Sequence, residues 1–199
     1  MAIDQNKLEA VLQKPVPKNI KDMQSFLGFA SYYRNHIKNL SHIASSLYKL
    51  CSKDVLLEIT KERRDAYERI KYKLMNAPSL ILPNFELQFK LYIDAAFSQG
   101  LGATLHPRHI VDGEPKEGVI CYICSQLKYS EARYGSTHTE CLCLVWALEK
   151  LHYQLEGAVF EVYTDYTAFQ SLMNMKTTNR HMLRLQIAIQ EYRGNIKII

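Results

Sequence analysis

The chain has 199 residues, 47% hydrophobic and 23% charged, a composition that suits one large globular domain or two small ones and excludes a fibrous or low-complexity protein. No apolar run approaches the ~20 residues a membrane helix needs, and the opening MAIDQNKLEA lacks the apolar core of a secretory signal, so an intracellular protein with no membrane partner is expected. The net charge of +5 is unevenly spread: residues 1–85 carry 14 Lys and Arg against 8 Asp and Glu, residues 86–199 carry 11 against 12. A basic excess of that size fits an anionic partner such as nucleic acid, and fits plain solubility as well.

In chain order, residues 1–19 read as a short helix and a linker holding Pro15 and Pro17. Asn19 or Asp22 is placed to cap the next helix, along which Met23, Phe26, Leu27, Ala30, Tyr33 and Ile37 recur at helical spacing. Ile43, Leu47 and Leu50 continue a shorter helix, and Thr60 begins a third with Ala66, Tyr67, Ile70 and Leu74 on its buried face. After Pro78 and Pro83 the period changes to strands. QFKLYID, GLGATLH and VICYICSQL predict an antiparallel meander, with residues 106–117 a polar loop. A long helix over 136–156 carries the stripe Leu144, Ala147, Leu148, Leu151 and Leu155 and stops at Gly157. VFEVYTD is a fourth strand, and the helix-length link before it implies parallel pairing. Helices over 166–174 and within TNRHMLRLQIAIQEYR follow, and NIKII starts a fifth strand. The fold class expected is α+β: a small helical region, then a mixed five-stranded sheet with flanking helices.

Three acids stand out. Asp94 ends the first strand, which buries Phe89, Leu91 and Ile93 on one face by alternation. Glu140 lies one turn before Leu144, on the helix face that packs on the sheet, where charge is normally absent. Asp165 ends the strand parallel to that of Asp94, and in such sheets ligands gather at the carboxyl ends of the strands. Three close carboxylates raise one another's pKa. A hard cation such as Mg²⁺ relieves that repulsion, and two such ions ~4 Å apart activate water and stabilise a leaving phosphodiester oxygen.

These stretches resemble the Pol polyprotein of gypsy-type LTR retrotransposons. AIDQNKLEAV, QSFLGFASYYRNHIKNLSHIASSLYKL and RRDAYERIKYKLMNAPSLILPNF are similar to the reverse transcriptase thumb and the piece after it. LYIDAAFSQGLGATL, YSEARYGSTHTECLCLVWALEKLHYQLEG and FEVYTDYTAFQSL are similar to the catalytic segments of its ribonuclease H. The resemblance divides the chain into a thumb-like segment at 1–60, a connecting helix and linker at 61–85, and a ribonuclease H-like domain at 86–199. It implies that Asp94, Glu140 and Asp165 are both catalytic residues and metal ligands for Mg²⁺, with Mn²⁺ as a substitute. By that resemblance Asp94 would bridge two ions, and Glu140 and Asp165 would hold the ion on the leaving-group side. The implied reaction is hydrolysis of the RNA strand of an RNA–DNA hybrid.

The implied partners are that hybrid and the rest of the retroelement polymerase, in a cytoplasmic particle or the nucleus. The polymerase aspartates of the family have no counterpart here, so no DNA synthesis is expected. The family's fourth acid falls beyond Ile199, so impaired cleavage is expected of these residues alone. The His-Lys pair common after the third aspartate is Tyr166 and Thr167 here, and a tryptophan common in the following helix is Leu185.

Lys176, Arg180, His181, Arg184 and Arg193 make the segment after Asp165 basic, suited to phosphates or simply to a solvated helix face. The competing function is a catalytically inactive module that grips a nucleic-acid duplex, or a decayed remnant. Among other features, Cys121 and Cys124 are separated by an odd step that sends them to opposite faces of a strand, poor for chelation. Five cysteines, an odd number, are expected to be reduced thiols. His138, near Glu140, is placed to reach a substrate, but the expectation is a helix-start histidine satisfied by water.

Overall fold

The computed structural model describes residues 2–52, 58–96, 100–108, 110–111, 114–115, 118–165, 179–192 and 196–198. The N-terminal part is helical: α1 (Gln5–Leu12), α2 (Ile20–Tyr32), α3 (Leu40–Ile43), α4 (Ser45–Leu50) and α5 (Lys61–Met75). Each main start has its chemical cause. Asp4 accepts from the backbone N–H of Asn6 and Lys7, and Thr60 accepts from Arg63 N–H. Asn19 accepts from Asp22 N–H at 2.8 Å while its own amide donates to the Asp22 carboxylate at 2.8 Å, a reciprocal cap that uses both expected residues. The apolar stripe of α2 (Met23, Phe26, Leu27, Ala30) packs with Leu47, Leu50, Tyr67, Ile70 and Leu74 in one core. Thus α5 packs into the helical layer. Tyr67 anchors the prolines: its hydroxyl donates to the carbonyls of Lys14 and Pro15 at 3.3 and 3.2 Å.

The second part is a sheet of five strands in the order β5-β2-β1-β6-β7, formed by β1 (Phe89–Ala96), β2 (Gly100–Pro107), β5 (Cys121–Ser125), β6 (Phe160–Tyr163) and β7 (Ile196–Ile198). β2 lies antiparallel to both β1 and β5, while β6 lies parallel to both β1 and β7. This is the mixed α+β architecture expected. Within the expected polar loop, β3 (Ile110–Val111) pairs with β4 (Glu114–Pro115) as a small separate hairpin. The predicted 136–156 helix is two helices, α6 (Ser136–Lys150) and α7 (His152–Leu155), parted at Leu151 (φ −105°, ψ 15°). Gly157, at φ +72°, ends the second as expected. α8 (Arg180–Gln190) is capped by the Asn179 side chain. The helix predicted over 166–174 lies outside the described residues.

The two sheet faces have different fates. Leu91 and Ile93 of β1, Leu101, Ala103 and Leu105 of β2, Cys121 of β5 and Phe160 and Val162 of β6 bury one face under α6 and α8. On the other face, at β5, Cys124 packs against the helical layer instead. The two cysteines therefore serve different cores, as their odd spacing implied. All five thiols are free, and burial pushes Cys121 up to about 11 and Cys141 and Cys143 up to about 12.

Candidate active site

β1 and β6 run parallel in register from Phe89↔Phe160 to Tyr92↔Tyr163. Asp94 and Asp165 therefore lie toward the same, carboxyl end of neighbouring strands, each two residues past the last of these pairs; Asp165 follows the end of β6, whereas Asp94 does not end β1 as expected, because the ladder with β2 carries the strand on to Ala96. Both are exposed. Glu140, in the second turn of α6, is half-buried. The α6 apolar stripe that follows it (Leu144, Ala147, Leu148) is wholly buried on the sheet and leaves the glutamate no route to bulk water on that side. Thr164, beside Asp165, donates to Glu140 Oε2 at 3.5 Å and ties the end of β6 to the helix. Cys143, one turn on, donates to the carbonyls of Gly102 at 3.4 Å and Asp94 at 3.8 Å, seating α6 on the β1–β2 pair.

The electrostatics follow from this placement. Burial, then the negative charge of Asp94, push the Glu140 carboxyl up to about 7. The Thr164 hydrogen bond opposes the shift and Asp165 adds to it. The acids expected at the site are thus within one another's field. They are not closed into a coordination shell: among the described residues no three His, Cys, Asp or Glu side chains form a group able to hold a metal ion. The donor set matches a hard divalent cation in kind, all carboxylate with a hydroxyl beside it and an unrelieved excess of negative charge.

A stability test follows from the raised pKa. An unfolded Glu titrates near 4.5, and burial and the neighbouring carboxylates push the folded Glu140 up to about 7. Between these pH values the folded state holds more protons, so stability falls as pH rises and levels off above the folded pKa. Glu140→Gln removes the cost of ionisation. Without divalent cation, the variant is expected to melt ~2–4 °C above the parent at pH 8, and level with it at pH 4. This corresponds to about 1 kcal/mol after discounting for solvent on a half-exposed group. Equal melting at pH 8 would mean that Glu140 is freely solvated.

Of the basic residues expected to touch phosphates, Arg180 and Arg184 lie exposed on α8, and Lys176 and Arg193 fall outside the described residues. His138 departs from expectation. Its Nε2 lies 2.6 Å from His181 Nδ1 and its ring stacks on Tyr134, with centroids 3.9 Å apart and planes at 9°. The partner that replaces water is 43 residues away, on the first turn of α8. Burial and the charge of His181 lower the His138 pKa. Thr164 was missed for the same reason, since nothing local marks a threonine that will meet a distant helix.

Residues 84–192 match the model of the RNase H-like domain found in reverse transcriptase. The chain is 30% identical over 97% of its length to the retrovirus-related Pol polyprotein from transposon 297 of Drosophila melanogaster, of which it spans 18%. It is also 30% identical over 97% of its length to that from transposon gypsy of the same organism, of which it spans 19%. Among solved structures, the foamy viral protease-reverse transcriptase superposes with a TM-score of 0.78 in complex with double-stranded DNA, at 18% identity over 100% of this chain and 35% of that one. That first structure is of the dRH form; the foamy viral protease-reverse transcriptase in complex with an RNA/DNA hybrid gives 0.75, at 18% identity over 98% and 26%. The matched residues make up more than half of the chain, and the five-stranded mixed sheet accords with them: the chain belongs to the family of RNase H-like domains found in reverse transcriptase.

Proposed function

We propose that this chain is the ribonuclease H module of a retroelement polymerase and hydrolyses the RNA strand of RNA–DNA hybrids with the help of Mg²⁺ or Mn²⁺. The observation that carries the reading is geometric: β1 and β6 are parallel neighbours, Asp94 and Asp165 stand two residues past their last shared pair, and Thr164 bonds the segment after β6 to Glu140 on the facing helix. Asp94, Glu140 and Asp165 would hold the cation, which when bound supplies Lewis-acid stabilisation of the phosphodiester as it is attacked.

The protein's own groups do the rest. Thr164 fixes the Glu140 carboxyl. The sheet fixes the separation of Asp94 and Asp165. The near-neutral Glu140 must shed its proton before it can serve as a ligand, so cation affinity should rise with pH through about 7. Arg180 and Arg184 are placed to meet phosphates, and a hybrid is distinguished from DNA by its 2′-hydroxyls. Residues 1–60 act as a thumb-like element, 61–85 as the connection and 86–199 as the nuclease module, working beside the remainder of the polymerase.

The test is cleavage of a labelled RNA–DNA hybrid by the chain in Mg²⁺ or Mn²⁺, with duplex DNA of the same sequence as control. Hybrid cut and DNA spared is the expected result. The open arrangement of the acids favours a second reading, a module that grips duplexes without cutting them. Hybrid binding that ignores Mg²⁺, with no cleavage and no Mg²⁺-dependent rise in melting temperature, would establish that reading instead.

A further inference from the structure

The helical layer reaches the strand that carries Asp94. Asn39 precedes α3 in the left-handed region (φ 61°, ψ 31°), which Asn tolerates better than most residues. It holds the N-cap position of α3, yet its side chain makes no capping hydrogen bond. The side-chain amide turns instead toward β2, where its oxygen stands 3.3 Å from the point a Cβ on Gly102 would occupy. Gly102 is the direct partner of Asp94 in the β1–β2 ladder.

Two residues on, Ser41 is tied to β5 and its end by its main chain. Its N–H donates to Cys124 Sγ at 3.3 Å and its carbonyl accepts from Gln126 Nε2 at 2.9 Å. Its hydroxyl is buried and finds no hydrogen-bond partner among the described residues. Asn39, Ser41, Asp94, Gly102 and Cys124 line a cavity of about 10 Å³. A polar site of that size takes about one water, provided two or more polar groups face it.

We propose that Asn39 and Ser41 hold a single ordered water between the helical layer and the end of β1, and that through it they position Asp94. Asn39 is a positioning residue and touches no reacting atom. Gly102 is what lets its amide approach. The effect on Asp94 rests on the nuclease reading above, whereas the water-filled joint does not.

The experiment has two arms on the full chain. In the first, Ser41→Ala is melted without metal. A hydroxyl buried with nothing to bond destabilises, so its removal would leave the melting temperature unchanged or raise it. A hydroxyl bonded to a bridging water stabilises, and its loss is expected to lower melting by ~2–4 °C. Asn39→Gly, which keeps the left-handed backbone while deleting the amide, should add little to the Ser41→Ala loss, because both remove the same water.

In the second arm Mn²⁺ binding is followed by electron paramagnetic resonance, without nucleic acid. Asn39→Gly is expected to weaken binding at least threefold. A Ser41→Ala melting temperature at or above the parent overturns the joint. A Mn²⁺ affinity in Asn39→Gly within twofold of the parent overturns the positioning role. A parent chain that binds no Mn²⁺ overturns the nuclease reading and the positioning role with it, and the melting arm still decides the joint.

Discussion

Asp94→Asn is expected to reduce hybrid cleavage by about a thousandfold while leaving the fold intact. The loss follows from what the carboxylate would supply. Cation-assisted charge stabilisation amounts to several kcal/mol, and ~4 kcal/mol corresponds to about three decades of rate. An Asn at the same place keeps the size and one oxygen and gives up the charge that holds a hard cation. The usual objection to such a variant, that it merely unfolds, is answered by the site itself. Asp94 is exposed, and its charge is among the causes that push Glu140 up to about 7. Removing that charge relieves repulsion, so without metal Asp94→Asn should melt at or slightly above the parent. Cleavage would be measured at pH 8, where Glu140 is ionised in both chains. Undiminished cleavage by Asp94→Asn would remove the proposed cation site.

Much of this site is written in local pattern, because its residues sit at places where a period and a charge disagree. Asp94 interrupts an apolar strand, and Glu140 occupies the stripe that continues into Leu144 and Leu148, both buried. A charge on a core face is costly unless something compensates it, so it is visible without coordinates. The helical faces were readable for the complementary reason: Met23, Phe26, Leu27 and Ala30 recur at helical spacing, and all four are buried.

What escaped is short or distant. The β3 and β4 strands are two residues each, too few to show a period. The break at Leu151 falls inside an unbroken apolar stripe, since Leu151 and Leu155 are both buried, and only the backbone turn there parts α6 from α7. His138 with His181, Thr164 with Glu140 and Ser41 with Gln126 are meetings of polar groups across 43, 24 and 85 residues. Nothing local in either partner says which distant group it will meet. The polar joints between layers are therefore the part of the fold that only the structure supplies.

Phe160→Ala is expected to lower the stability of the five-stranded sheet and its helices by about 3–5 kcal/mol, a large share of the roughly 5–15 kcal/mol a domain holds. Phe160 is fully buried in β6, flanked in the sheet by Phe89 of β1 and Ile196 of β7, with Tyr192 edge-on at 6.2 Å. Neighbours on three sides cannot all close over the void left by a phenyl ring. The melting temperature should fall by roughly 10 °C or more. The effect should reach the site as well, since Thr164 and Asp165 follow directly on the end of β6.

Tyr163, three residues along the same strand, is the control. Its ring stacks on Tyr92 at 4.7 Å and 18°, on the opposite face of the sheet, where Tyr92 is 40% exposed. Tyr163→Ala should cost about 1 kcal/mol. Chemical denaturation of both variants gives the comparison. Comparable losses in the two would mean that the Tyr92–Tyr163 face is as deeply packed in solution as the Phe160 face, and the assignment of one buried and one open side to β6 would be wrong.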